Sequence, residues 1–235
     1  MKNKRLLIII VSAIVGAAVL GGLLYLFLGY LPKERKEREF AQAMKDYYDA
    51  KVATFEQENA SKVGVDVAFI GDSLTDGYDV ARYYTEFSVA NRGIGGDTTF
   101  GVEERLDGSV IQLKPRVLVM MIGSNNIYNM FDNYESLLIR LKNELPDTKV
   151  VLMSIPPTSG RISDRNVQIA LNNVKIKALA EKYGYTYVDI FTLLLDHEND
   201  VLRAEYTFDG AHFTDEGYEV ITAELKPVLL RLLEK

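Results

Sequence analysis

The longest unbroken run of apolar positions lies at the start of the chain. Leu6 to Tyr30 reads LLIIIVSAIVGAAVLGGLLYLFLGY, 25 residues with one serine and no charge. As a helix it measures about 37 Å, enough to cross a hydrocarbon core of about 30 Å. A cleaved signal peptide has a shorter apolar core and a small-x-small site after it, and no such site follows Tyr30. A retained anchor is therefore expected, with residues 1–31 forming a cytoplasmic tail and transmembrane segment. Lys2, Lys4 and Arg5 favour an inside N-terminus and an extracytoplasmic body, against competition from Lys33, Arg35, Lys36 and Arg38 on the far side. Ala13, Ala17 and Gly21 fall four apart, a spacing that suits a weak helix-to-helix homodimer within the membrane.

After Pro32 the pattern becomes amphipathic. Phe40, Met44, Tyr47, Tyr48, Val52 and Phe55 recur at spacings of three to five with no proline between them, which predicts a helix over about 33–60. Residues 32–62 are expected to form a juxtamembrane amphipathic helix whose apolar stripe docks on the body; the stripe is too short for several coiled-coil heptads.

Beyond residue 62 short apolar runs alternate with helical stretches. The runs are VDVAFI (65–70), FSVAN (87–91), RVLVMMI (116–122), KVVLMSI (149–155) and YTYVDI (185–190), and helical patterns fall near 99–106, 134–144, 166–182 and 215–234. Strands that are apolar on both faces and separated by helices predict a parallel sheet covered on both sides. Ligands of such sheets bind where the carboxyl ends of the strands emerge. Residues 63–235 are expected to form this one domain.

Composition narrows the chemistry. The chain has no cysteine, which removes disulfides, thiolate zinc sites and a cysteine nucleophile, and it has only two histidines. It carries 27 Lys or Arg and 33 Asp or Glu, of which seven and two precede residue 39, so the remainder holds 20 positive against 31 negative side chains, net −11. Such a domain is a poor nucleic-acid binder.

Four stretches leave the strands, or precede the last helix, with polar residues that a plain turn does not need: GDSLT (71–75), NRGIGGDTT (91–99), MIGSNN (121–126) and DGAHFT (209–214). Ser73 is a candidate nucleophile, which requires a base and oxyanion donors. The G-x-S-x-G elbow is absent, because Thr75 stands at its last position. His197 sits in the acid-rich LLDHEND and reads as a solvated surface residue. His212 follows Asp209 by three residues, so one short loop can present both carboxylate and imidazole, with Asp209 holding Nδ1 and Nε2 facing a hydroxyl. GIGGDTT can turn backbone amides toward a ligand, but it fits neither G-x-G-x-x-G nor a P-loop, so nucleotide binding is unsupported. Asn125 can donate an amide to a developing negative oxygen.

Taken together, the four stretches resemble the four blocks of the SGNH hydrolases, also called GDSL esterases and lipases, from about Val65 to the end of the chain. By motif, the resemblance implies Ser73 as nucleophile, Ser73, Gly96 and Asn125 as oxyanion hole, His212 as base and Asp209 as its orienting acid. NRGIGGDTT and MIGSNN are most similar to the platelet-activating-factor acetylhydrolase-like branch, which removes short acyl groups. The third block commonly ends in Asp, where this chain has Asn126; Asp72 and Asn126 stand behind the reacting groups. The resemblance implies a flavodoxin-like three-layer α/β/α sandwich without metal or nucleotide cofactor, and hydrolysis of a short-acyl lipid or carbohydrate ester through an acyl-enzyme. An O-acyltransferase on the same scaffold is the alternative. A metal-dependent hydrolase using Asp72, Asp76, Asp97, Asn125 and His212 is a weaker one, as is a binding module, which would be expected to lack one of the triad residues.

Overall fold

The computed structural model describes residues 2–234, and the side chains of residue 4 and residues 14–234. The chain divides into two compact units, residues 1–50 and 51–235.

The first unit is helical throughout: α1 (Lys2–Tyr25), a π-helical turn (Leu26–Tyr30) and the first part of α2 (Leu31–Lys62). From Ile14 this helix is long and apolar enough to cross a membrane, and Ile14, Leu20, Leu24, Phe27 and Leu28 all face outward. Ala13, the first of the three small residues of the expected packing stripe, lies outside the described side chains. In the polar part of α2, i,i+4 ion pairs Arg35–Glu39, Arg38–Glu34 and Lys45–Asp49 support a helix that has little apolar surface to bury. Within the second unit, Phe55 near the end of α2 is covered. Phe55 packs against the two buried arginines of the second unit, lying 4.8 Å from Arg92 and 5.8 Å from Arg105.

The second unit is built on a five-stranded parallel sheet: β1 (Val67–Gly71), β2 (Val89–Gly93), β3 (Val117–Met121), β4 (Lys149–Met153) and β5 (Thr186–Val188), in the order β2-β1-β3-β4-β5. All four pairings are parallel. Between the strands lie α3 (Ser73–Asp76), α4 (Val80–Tyr83), α5 (Thr99–Glu104), α6 (Tyr134–Glu144) and α7 (Asn166–Tyr183); α8 (Ile190–Leu194) and α9 (Asp215–Leu233) follow the sheet. The period of two within the strands divides the core. Ala68, Ile70, Leu118 and Met120 face α6 and α7, with Leu137, Leu141, Ile169 and Ile176 opposite them. Val67, Phe69, Val117 and Val119 face α9, with Ile221, Leu225 and Leu229. The result is the expected three-layer α/β/α sandwich. A two-stranded antiparallel pair, β6 (Leu195–Asp196) and β7 (Val201–Leu202), was not expected, because strands of two residues leave no periodic pattern.

A candidate active site at the carboxyl edge of the sheet

Three of the four polar stretches follow the carboxyl ends of β1, β2 and β3, and the fourth is the loop before α9. Gly71 ends β1, and a Cβ there would collide with the Met121 carbonyl of β3 and the Thr75 side chain, so only glycine allows the chain to turn this close to its neighbours. The turn begins α3, with Asp72 as its cap: Asp72 Oδ1 accepts the Leu74 N–H at 3.0 Å. Ser73 is the first residue of that helical turn, where a backbone N–H has no intrahelical acceptor. Tyr218 of α9 donates its hydroxyl to the Leu74 carbonyl at 2.9 Å and stacks on Tyr78 with centroids 4.8 Å apart. It thereby ties the Ser73 turn to the helix that follows His212.

On the loop before α9, Asp209 Oδ1 accepts the backbone N–H groups of Ala211 and His212 at 2.9 and 2.8 Å, and Oδ2 lies 2.6 Å from His212 Nδ1. Burial alone would raise the Asp209 pKa, but its bonds to the His212 ring and to the two backbone N–H groups outweigh that and hold it at about 2. An ionised carboxylate only accepts, so Nδ1 carries a proton toward Asp209, and in the neutral ring Nε2 is then the acceptor. Nε2 lies 3.0 Å from Ser73 Oγ. The Phe208 ring stacks on the imidazole at 5.9 Å while remaining largely exposed. His197 is exposed on the β6–β7 turn.

Asn125, after β3, donates Nδ2 to the Asp97 carbonyl at 2.8 Å, which fastens it to the loop bearing Gly96. The amide has a second N–H to offer. Gly96 adopts φ +78°, a left-handed conformation natural to glycine. Asn126 sits behind, donating to Thr99 Oγ1 at 2.9 Å. Ser73, Asn125 and His212 share the wall of one cavity of about 180 Å³. Gly96 is not part of that wall and joins the group through the adjoining Asp97 carbonyl.

Arg105 holds this edge together and carries no motif signal in the sequence. Its buried guanidinium donates to Asp97 Oδ2 at 2.8 Å, to the Arg92 carbonyl at 2.8 Å and to the Gly71 carbonyl at 3.1 Å. One side chain thus satisfies carbonyls near the ends of β1 and β2 and anchors the Gly96 loop. Burial lifts the Asp97 pKa above its ordinary value even with Arg105 beside it. Removing the cation from such a pair typically costs about 3–5 kcal/mol. Arg105→Met is therefore expected to lower the melting temperature sharply, with Asp97→Asn added on top restoring part of the loss; thermal unfolding of the two variants measures both. Of the carboxylates considered above as metal ligands, two are engaged by cations, Asp97 by Arg105 and Asp76 by Lys51. Among the described residues no three His, Asp or Glu side chains gather as a cation site requires.

Asp72 is fully buried, and its Oδ2 has no hydrogen-bond partner among the described residues. Burial, reinforced by the Asp97 carboxylate, pushes its pKa up to about 6, against the opposing pull of the Leu74 N–H, the nearby Ser124 hydroxyl and His212. Since the folded value lies above the ordinary 3.8, folding favours the protonated acid. The stabilisation is full below about pH 4 and is lost as the pH rises through about 6. Asp72→Asn, which can still accept the Leu74 N–H but cannot ionise, is expected to gain on the order of 3 kcal/mol over the parent between pH 4 and pH 8. Unfolding curves at the two pH values measure the difference.

Residues 69–220 match the model of the GDSL-like lipase/acylhydrolase family. The alpha2 subunit of platelet-activating factor acetylhydrolase IB from Rattus norvegicus is 27% identical over 183 residues, covering 72% of this chain and 78% of the relative. A Streptococcus pneumonia structure named for platelet activating factor superposes with a TM-score of 0.76 at 25% identity, over 83% of this chain and 99% of its own. A GDSL-like lipase from Bacteroides thetaiotaomicron gives 0.69 at 26% identity, over 77% and 97%. With the family model matched across the sheet and its carboxyl-edge loops, this chain belongs to the GDSL-like lipase/acylhydrolase family and is a carboxylic ester hydrolase.

Proposed function

We propose that the protein is a serine esterase that removes short, acetyl-type acyl groups from a lipid or carbohydrate, with Ser73 as nucleophile, His212 as general base and Asp209 orienting the imidazole. The observation that carries the proposal is the chain of short contacts from Asp209 Oδ2 to His212 Nδ1 and from His212 Nε2 to Ser73 Oγ, at 2.6 and 3.0 Å. His212 takes the Ser73 proton as Oγ attacks the ester carbonyl carbon. The negative oxygen that forms is stabilised by the Ser73 and Gly96 backbone N–H groups and by Asn125 Nδ2. The tetrahedral intermediate collapses to an acyl-Ser73 ester while His212 returns its proton to the departing alcohol. Water, deprotonated by the same imidazole, attacks the acyl-enzyme and releases the acid and free Ser73. Asp72 and Asn126 act as positioning residues, one capping the Ser73 turn and the other bracing the Asn125 loop against Thr99.

The size of the cavity supports the short acyl group. About 180 Å³ is below the roughly 300–1,000 Å³ that holds a drug-sized ligand. Residues 6–30 serve as a single membrane anchor in this proposal, with residues 63–235 as the hydrolase domain outside, where lipid and glycan esters are within reach. The full chain in detergent should hydrolyse 4-nitrophenyl acetate and butyrate faster than the octanoate. A fluorophosphonate probe should label one peptide, that containing Ser73, as read by mass spectrometry. Labelling at a different serine, or none alongside retained hydrolysis, would overturn the assignment.

A further inference from the structure

The cavity beside Ser73 has one charged lining residue that the reaction does not use. Arg165 ends a 3-10 turn (Gly160–Arg165) immediately before α7 and is half-buried in the cavity wall. Around it the wall is mostly apolar, with Leu74, Ile155, Pro156, Ile162 and Ile169. Its polar neighbours are paired with one another: Thr158 donates its hydroxyl to the Ile162 carbonyl at 2.8 Å, and Asn166 donates to the Thr158 and Asp200 carbonyls at 2.8 and 2.9 Å. Among the described residues the Arg165 guanidinium has no hydrogen bond or ion pair.

The arginines of the domain differ in this respect. Arg82, Arg92, Arg105, Arg116 and Arg140 each hold a carboxylate within 4 Å. Arg161, Arg203 and Arg231 do not, but none of them lines the cavity. A body with 31 acidic side chains against 20 basic ones offers many partners to a guanidinium, yet the one in the reaction cavity has been left without a carboxylate. A half-buried guanidinium beside an apolar wall gains more from meeting an anion than a fully solvated one does. Its planar fork fits two oxygens of a carboxylate or phosphate.

Building on the serine-esterase proposal, we infer that Arg165 selects esters that carry an anionic group, a carboxylate or phosphate, close to the scissile carbonyl. The acidic body repels anions at long range, so this recognition is local and comes from the cavity itself.

The test uses the full chain in detergent and two matched ester pairs. Mono(4-nitrophenyl) succinate against 4-nitrophenyl butyrate places the anion in the acyl half; 3-acetoxybenzoate against 3-acetoxybenzamide places it in the alcohol half. The readout is the ratio of kcat/KM for the anionic ester to that for its neutral partner, in which any general loss of activity cancels. In one of the two pairs, Arg165→Gln should lower that ratio on the order of 10- to 100-fold, chiefly through KM. Arg165→Lys should fall between, and the parent's ratio should decline with added salt. Ratios unmoved by Arg165→Gln in both pairs would overturn the inference. If Ser73→Ala hydrolyses the neutral esters as the parent does, the serine-esterase proposal itself fails; if neutral turnover depends on Ser73 while both ratios ignore Arg165, only the anion recognition fails.

Discussion

Ser73→Ala is expected to lower kcat for short-acyl esters by on the order of 10⁴- to 10⁶-fold, the range seen when the nucleophile of such a triad is removed. Without Oγ no acyl-enzyme forms, and His212 Nε2 has no hydroxyl to deprotonate. The fold has little to lose, because among the described residues the Ser73 side chain has one hydrogen bond, to His212, and a single exchanged hydrogen bond is worth about 1 kcal/mol. The variant should therefore unfold close to the parent temperature while losing activity and fluorophosphonate labelling together. Turnover within about tenfold of the parent, at equal protein concentration and with a normal unfolding curve, would rule out Ser73 as the nucleophile.

Asn125→Ala should cost about 10²–10³-fold in kcat with a small change in KM, the penalty of one missing oxyanion donor. In the proposed mechanism the amide contributes in two ways. One N–H is bonded to the Asp97 carbonyl, which holds the side chain in place before substrate arrives, and the other is available to the developing oxygen. Preorganised donors of this kind act mainly on the transition state, so the loss belongs in kcat. Asn125→Asp separates the two contributions. It keeps the shape, replaces the donor with an acceptor and puts negative charge beside a forming oxyanion, so it should be worse than alanine. Steady-state kinetics of the two variants on 4-nitrophenyl acetate measure the order; an aspartate variant as active as the parent would remove Asn125 from the oxyanion hole.

Most of the sheet was legible in the sequence because buried parallel strands announce themselves as apolar runs. KVVLMSI over 149–155 became β4 at Lys149–Met153, and RVLVMMI over 116–122 became β3 at Val117–Met121. The helix pattern at 134–144 coincides with α6, and that at 166–182 with α7, closed by Gly184 in a left-handed cap. The small antiparallel pair of β6 and β7 had no such signal.

Within the candidate site, Asp209 and His212 are three residues apart, and a turn that short brings their side chains together by itself. Arg105, Tyr218 and Arg165 were passed over because their significance lies in contacts across the chain. Arg105 meets the Gly71 carbonyl 34 residues away, and Tyr218 meets the Leu74 carbonyl 144 residues away. In sequence each is an ordinary helix or loop residue.

The sequence by itself determined the alternation of strands and helices, the uncharged N-terminal run of 25 residues and the polar stretches that end the strands. These follow from local backbone periodicity and from the intolerance of apolar interiors for unpaired polar groups. Only the tertiary structure decided that Ser73 and His212, 139 residues apart, stand 3.0 Å from each other, that Asn125 is tied to the Gly96 loop, and that one arginine of the cavity was left without a carboxylate. Those distances are set by the strand order β2-β1-β3-β4-β5 and by the side on which each crossover returns, and both are settled by packing among segments that no local pattern connects.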